Sequence, residues 1–168
     1  VYVMHPLVSY PVGVLGLLVD MDALLLGRYL QLSFNALTIP LTYLLTRDIG
    51  FSRWISIGAA VSLSIFRGYW EDASHFWPDS QFALLLIASC MLFTRTVRKG
   101  SVGHWHVLAS AGALMMATLT REHAPVILVL PFGYLFAIKI LAGNLKLGKG
   151  LWIVFAHIVA IVVAYSLM

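Results

Sequence analysis

The feature that most constrains this chain is the alternation of long apolar blocks with short charged clusters. Hydrophobic residues make up 61% of the 168 residues, and charged residues make up only 11%. A soluble domain usually carries about 25% charged residues, so this chain has too few charges to cover a surface that faces water. The pattern predicts an all-α integral membrane protein with several spanning helices, and it argues against a soluble domain.

The charged clusters leave six apolar stretches between them. A bilayer core requires about 20 residues of helix, and flanking Arg and Lys side chains let a shorter stretch cross because they reach back to the interface. The six candidate spans are 29–46, 54–66, 80–94, 100–120, 123–138 and 150–168. Upstream of them, Pro6 and Pro11 disfavour a regular helix. We therefore predict an extracytoplasmic, interface-lying segment over 1–28 and a transmembrane helical domain over 29–168.

Basic residues recur at every second connection between these stretches. Lys and Arg accumulate in the cytoplasmic loops of membrane proteins. The basic connections contain Arg47 and Arg53, then Arg95, Arg98 and Lys99, then Lys139, Lys146 and Lys149. The acidic stretch 67–79 and the short turn 121–123 are then predicted on the extracytoplasmic side. Because topology accounts for the net charge of +4, no nucleic-acid partner is expected.

The chain ends and its cysteine content set two further expectations. The chain begins at Val1 without an initiator Met and stops within an apolar run, so we expect it to be a fragment of a larger protein. Cys90 is the single cysteine, which excludes a disulfide within the chain. The histidines have no zinc-like spacing, so a histidine metal site is not expected.

Ionisable residues gather on the predicted extracytoplasmic side. Such groups are costly near a membrane, and they indicate a functional site when they face a cavity. Arg binds phosphate through paired hydrogen bonds, and carboxylates bind hard cations. The cluster predicts a site for a phosphate-bearing ligand, with a divalent cation at Asp79 left open. The candidate substrate-binding residues are Glu71, Asp72, His75, Asp79, Arg121 and Glu122.

A plainer interpretation exists for each part of this cluster. The stretch 67–79 is also typical of a solvated loop that lies along the interface. Asp79 follows Pro78 and is suited to capping the next helix, since a carboxylate satisfies the free N–H groups at a helix start. The turn 121–123 is also compatible with ordinary loop polarity.

Four short motifs follow one another along the chain. They are His5-Pro6 and Tyr10-Pro11 ahead of Arg28, Tyr43-Leu44-Leu45-Thr46-Arg47, Trp77-Pro78-Asp79, and Leu119-Thr120-Arg121-Glu122 followed by Pro125 and Pro131. In this order they resemble the polytopic C-type (GT-C) glycosyltransferases that use polyprenyl-phosphate sugars. Within that group the chain is similar to the protein O-mannosyltransferases and the lipid A aminoarabinose transferases.

The resemblance implies an enzyme that transfers a sugar from a polyprenyl-phosphate donor to an acceptor hydroxyl on the extracytoplasmic or lumenal face. It implies that Asp79 matches the family's second acidic position, which is implicated in substrate or metal contact. Arg121 matches a turn arginine suited to the lipid-linked phosphate. The family's principal catalytic acid lies in an earlier loop, which is expected upstream of Val1, so the catalytic residue is unknown here.

Two other functions fit the same pattern. A transporter or flippase-like protein places ionisable residues or broken helices near mid-membrane, and Pro40 and Pro131 keep that alternative open. A non-catalytic membrane scaffold would tolerate neutralisation of the acidic stretch.

Overall fold

The computed structural model describes residues 6–74, 79–98, 104–121, 133 and 147–167. The described part of the chain folds into helices, which confirms the all-α prediction. The helices are α1 Pro6–Val19, α2 Ala23–Ile49, α3 Arg53–Ile65, α4 Arg67–Ser74, α5 Asp79–Arg98, α6 His104–Thr120 and α7 Leu147–Leu167.

Within the described ranges, one helix is both long enough and apolar enough to cross a bilayer. It is α7, whose window Gly150–Leu167 has a mean hydropathy of 2.2. The apolar α3 has only 13 residues, and α2 carries the buried polar residues Gln31 and Asn35 along its length. The number of six spans therefore stays a prediction, and the candidate span 123–138 lies outside the described residues except for position 133.

The described helices bury many polar side chains and expose many large apolar ones. Of the eleven largest fully buried side chains, eight are polar: Gln31, Asn35, Thr38, Ser56, Ser89, Ser110, Thr118 and Thr120. On α7, by contrast, the side chains of Leu151, Phe155 and Val162 are 59–61% exposed. In a protein surrounded by water large exposed apolar surfaces are rare, and where they occur they mark contact with a membrane or a partner.

The N-terminal segment is helical in spite of its prolines. Helix α1 begins at Pro6, where the missing N–H would have no partner in any case. It continues through Pro11 and packs against α2 and α6, with Val12 buried. Pro6 and Pro11 were expected to disfavour a regular helix at the start of this segment, and that expectation is wrong, whereas the interfacial position of 1–28 stays a prediction.

Helix α2 starts and ends at capping residues. The Asp22 carboxylate accepts hydrogen bonds from the N–H groups of Leu24 and Leu25, at 2.9 and 3.0 Å. This cap places the start of the helix at Ala23, ahead of the candidate span 29–46. At the other end, the Gly50 N–H donates to the carbonyls of Arg47 and Thr46. The helix thus extends past the charges that delimited the span.

Helix α4 lies within the stretch 67–79, which was predicted to be a loop. The Arg67 Nε donates to Glu71 Oε1 at 2.6 Å, one helical turn away. The helix is attached to α2 by two hydrogen bonds. The Asn35 Nδ2 donates to the Tyr69 carbonyl at 2.5 Å, and the Tyr69 hydroxyl donates to the Asn35 carbonyl at 3.1 Å.

Helix α6 packs between α5 and α7. A core of Phe93, Val107, Ala111 and Ile153 joins the three helices. Contacts between α5 and α6 join the end of one to the start of the other, so these two helices are antiparallel. Ser110 meets His157 and His104 meets Trp152, so α6 and α7 are parallel.

Replacing Gly50 with Ala is expected to destabilise the protein. Gly50 has φ 113°, in the left-handed region, and a Cβ there would meet no atom within 4 Å. The penalty is therefore conformational, about 1–2 kcal/mol of unfolding free energy. Denaturant unfolding of the full-length protein in detergent measures it. The control Gly58→Ala, in the open interior of α3, should be neutral or stabilising. Equal effects of the two substitutions would contradict the prediction.

The C-terminal ends of α2 and α5 are joined by an ion pair. The Arg95 Nε donates to Asp48 Oδ2 at 2.5 Å, and the two side chains are 34% and 23% exposed. Because solvent screens a pair of this exposure, we expect a coupling of about 1 kcal/mol. A double-mutant cycle with Arg95→Ala and Asp48→Ala, followed by denaturant unfolding, measures this coupling. Additive effects of the two substitutions would show that the pair contributes nothing.

Candidate functional site

Two of the predicted site residues form an ion pair. Asp79 is the first residue of α5, and Arg121 follows the last residue of α6. The Arg121 Nη2 contacts Asp79 Oδ1. The side chains are 36% exposed for Arg121 and 33% for Asp79, so the pair lies at the rim of the helices and solvent reaches it.

Antiparallel packing brings these two charges together. Since α5 begins where α6 ends, the N-terminal end of one helix lies beside the C-terminal end of the other. A carboxylate is favoured at a helix N-terminus and a cation at a C-terminus, because each opposes the partial charge of the helix end. The Arg121 N–H also continues the bonding of α6, since it donates to the Ala117 carbonyl at 2.9 Å. The helical backbone thus fixes the Cα positions of both residues.

The guanidinium of Arg121 is suited to more than one acceptor. It carries five N–H donors in a planar fork, and the described contact to Asp79 involves one nitrogen. The remaining donors can bind oxygen atoms of a phosphate, which Arg recognises with paired hydrogen bonds. Asp79 holds the fork in place from one side and leaves the pair with no net charge. An anion that approaches therefore meets a cation whose position is already set.

The structure groups only part of the predicted cluster. It brings Asp79 and Arg121 into contact, whereas Glu71 forms its ion pair with Arg67 on its own helix, and that pair is largely exposed. An exposed pair of this kind contributes little to stability. The side chain of Asp72, and His75 and Glu122 as a whole, lie outside the described residues.

The described residues do not form a metal centre. No group of three or more His, Cys, Asp or Glu side chains that could hold a metal ion occurs among them. The Asp79 carboxylate faces a guanidinium cation, which is unfavourable for a second cation at the same oxygen. Metal binding by Asp79 therefore stays a prediction.

Sequence reasoning missed two buried polar contacts. One is the double hydrogen bond between Asn35 and Tyr69. The other joins Ser89, Ser110 and His157 on three helices. The available signal was weak, because single Asn and Ser residues inside apolar stretches are common. Only the rotation of each helix about its axis decides whether such a side chain faces a neighbouring helix.

Residues 18–167 match the family model of the dolichyl-phosphate-mannose-protein mannosyltransferases. The chain belongs to this family. The match covers nearly the whole of this mannosyltransferase-family chain and includes both Asp79 and Arg121. It confirms the resemblance to a GT-C glycosyltransferase fragment. Members of the family are integral membrane proteins. No curated protein and no solved structure matches the chain.

Proposed function

We propose that this chain is part of a multi-pass membrane glycosyltransferase that transfers a sugar, mannose by family, from a polyprenyl-phosphate donor to an acceptor hydroxyl. The observation that carries the proposal is the Asp79–Arg121 pair at the rim of α5 and α6, within a chain of the mannosyltransferase family. The pair supplies a guanidinium that is held in place, and this is a group that binds phosphate.

The reaction exchanges one bond at the anomeric carbon of the sugar. The acceptor oxygen forms a bond to this carbon, and the bond from the carbon to the phosphate oxygen breaks. Polyprenyl phosphate leaves with the electron pair, and a general base accepts the proton of the acceptor hydroxyl. Negative charge therefore grows on the phosphate as the reaction proceeds.

Arg121 acts on this developing charge in the proposed mechanism. Donors that are already in place stabilise a charge that forms in the transition state more than they stabilise the ground state. Asp79 contributes indirectly, because it orients the guanidinium. Neither residue is proposed as the general base.

The proposal places the site on the extracytoplasmic or lumenal side of the membrane. Its support is the distribution of Lys and Arg over alternate connections, which favours a cytoplasmic position for the opposite helix ends. In this proposal membrane lipid surrounds the exposed apolar faces of α1 and α7. The polyprenyl chain of the donor lies in the same membrane.

Binding of the leaving group tests the proposed role of Arg121. The full-length protein in detergent should bind dolichyl phosphate, and Arg121→Ala should weaken binding by about 10-fold or more, as expected for a charge-assisted contact of about 1.5–3 kcal/mol. Thermal shift against ligand concentration measures the affinity. The control Arg53→Ala removes one cation at the start of α3 and should leave the affinity unchanged. Equal affinities of wild type and Arg121→Ala would overturn the proposed role.

A further inference from the structure

A buried polar contact joins three helices below the Asp79–Arg121 pair. Ser89 on α5 and Ser110 on α6 are fully buried, and His157 on α7 is 7% exposed. The Ser89 hydroxyl donates to the Ser110 carbonyl at 3.0 Å, and the Ser110 hydroxyl lies 3.1 Å from the Ser89 carbonyl. The Ser110 Oγ also lies 3.0 Å from His157 Nε2. We call these three residues the polar clamp.

The hydroxyls of the polar clamp do not follow the usual pattern of Ser and Thr in helices. Such hydroxyls commonly bond a carbonyl one turn earlier in the same helix. Thr96 on α5 and Thr118 on α6 do so, with the carbonyls of Leu92 and Leu114 at 2.8 Å. Ser89 and Ser110 instead bond across the interface between the helices. Their bonds therefore report on how α5 and α6 are placed against each other.

The contacts between Ser89 and Ser110 require one register of α6 against α5. An α-helix rises by about 5.4 Å per turn, so sliding α6 along α5 by one turn, which keeps the same face of α6 toward α5, would lengthen both contacts to about 6 Å and break them. The two serines also bring main chains close together, which is how small residues pack helices in membranes.

The same register sets the position of the ion pair. Ten residues of α5 separate Ser89 from Asp79, and eleven residues separate Ser110 from Arg121. At about 1.5 Å per residue these distances are about 15 Å and 16–17 Å. Since the helices are antiparallel, the two charged residues reach the same level when the serines are paired. A slip of one turn, about 5.4 Å, would separate Arg121 from Asp79.

His157 orients the hydroxyl of Ser110. The His157 Nδ1 lies 2.8 Å from the Ile153 carbonyl, which can only accept, so Nδ1 carries a hydrogen and donates it. Phe93 packs edge-on against the ring, with centroids 5.6 Å apart, and holds it in place. The Nε2 atom then carries no hydrogen, so it and the Ser89 carbonyl share the single hydrogen of the Ser110 hydroxyl, while the bond from the Ser89 hydroxyl to the Ser110 carbonyl is independent of this choice. Through this contact α7 packs against α6 at Ser110, the residue that also contacts Ser89 on α5.

We propose that Ser89 and Ser110, with His157 behind Ser110, are positioning residues that hold Asp79 against Arg121. This inference rests on the proposed function, since it assigns the clamp to the site of that reaction. The clamp acts through helix register, and none of its members touches the substrate.

A double-mutant cycle tests the clamp through activity. In the full-length protein, Ser89→Ala/Ser110→Ala should lower kcat/KM for sugar transfer about tenfold, within the coupling range of residues that act together. In an Asp79→Asn background the same pair of substitutions should change kcat/KM by less than about twofold, because the positioned contact is already gone. If the two serine substitutions lowered kcat/KM about tenfold in the Asp79→Asn protein as well, the proposal would be overturned. The control Thr96→Val removes a buried hydroxyl of α5 that bonds its own helix, and it should leave kcat/KM unchanged.

Cross-linking tests the register without relying on activity. Asp79→Cys/Arg121→Cys is introduced with Cys90→Ser, and a short bifunctional methanethiosulfonate links the two positions. Adding Ser89→Ala/Ser110→Ala should lower the cross-linking yield in protein that still elutes as one species. An unchanged yield would overturn the clamp. If Asp79→Asn has no effect on transfer, the proposed role of the ion pair fails, whereas the cross-linking yield still decides whether the serines set the register.

Discussion

Replacing Arg121 with Ala in the full-length protein is expected to lower kcat/KM for sugar transfer by about 100- to 1,000-fold, the usual effect of removing a donor that stabilises transition-state charge. Asp79→Asn keeps the shape of the side chain but removes the charge that holds the guanidinium. It is expected to lower kcat/KM less, by about 10- to 100-fold, because Arg121 is still present. Initial rates with a lipid-linked sugar donor measure both effects.

Two controls separate a role in the reaction from a role in folding. Arg53→Ala removes a cation from the other end of the helices and should leave kcat/KM within about twofold of wild type, as for surface substitutions away from special features. Asp79→Asn/Arg121→Ala should be no worse than Arg121→Ala alone, since the two residues act as a unit. Wild-type activity of Asp79→Asn and Arg121→Ala, in folded protein, would contradict the proposed roles.

Replacing Asn35 with Leu is expected to have the largest effect on stability. Asn35 is fully buried, and its amide donates to the main chain of Tyr69 on α4. Leucine has nearly the same size but cannot donate to the Tyr69 carbonyl, and detachment of α4 would also lose the bond from the Tyr69 hydroxyl, so the two lost bonds together cost about 1–3 kcal/mol. We expect α4 to detach from α2 as a result. Denaturant unfolding of the full-length protein in detergent measures the loss.

Two substitutions bracket this prediction. Tyr69→Phe keeps the bond from the Asn35 amide and removes the hydroxyl, which bonds the Asn35 carbonyl and the Thr38 side chain, so it should destabilise by about 1 kcal/mol. Thr42→Val removes a hydroxyl that bonds the Thr38 carbonyl of its own helix, and it should change stability by less than about 0.5 kcal/mol. The prediction would be wrong if Asn35→Leu were no more harmful than Thr42→Val.

The sequence located most described helices but not their ends. Charges bound the apolar stretch 80–94, and α5 covers it from Asp79 to Arg98. For α2 the charges are misleading, because Arg28 and Arg47 lie within the helix. Its ends depend on local chemistry instead, with the Asp22 carboxylate at the start and the left-handed Gly50 at the finish. Hydropathy detects the apolar centre of a helix, whereas capping decides its length.

Helix α4 shows why a polar stretch is difficult to interpret. Its residues mix acids and aromatics, which is typical of a loop, yet Arg67 and Glu71 stand one turn apart and pair on the helix surface. Such pairs stabilise a helix only slightly. The attachment to Asn35 supplies the rest, and that contact spans 34 residues of sequence. No local pattern contains it.

The candidate site was predictable only in part, for a geometric reason. Alternating topology puts the ends of consecutive helices on one side, so an encounter between Asp79 and Arg121 could be anticipated. The polar clamp could not, because a contact between Ser89 and Ser110 depends on the rotation of both helices about their axes. A single sequence with near-uniform apolar faces does not define that rotation.

Transfer of labelled mannose tests the central proposal most directly. Full-length protein in membranes would be incubated with dolichyl-phosphate mannose labelled in the sugar, and separately with a labelled nucleotide sugar after the lipid carrier is removed. The proposal predicts that label from the lipid-linked donor becomes covalently attached to acceptor protein, and that the nucleotide sugar alone gives none. Label that crosses the membrane without covalent attachment, or transfer that needs no lipid-linked donor, would contradict it.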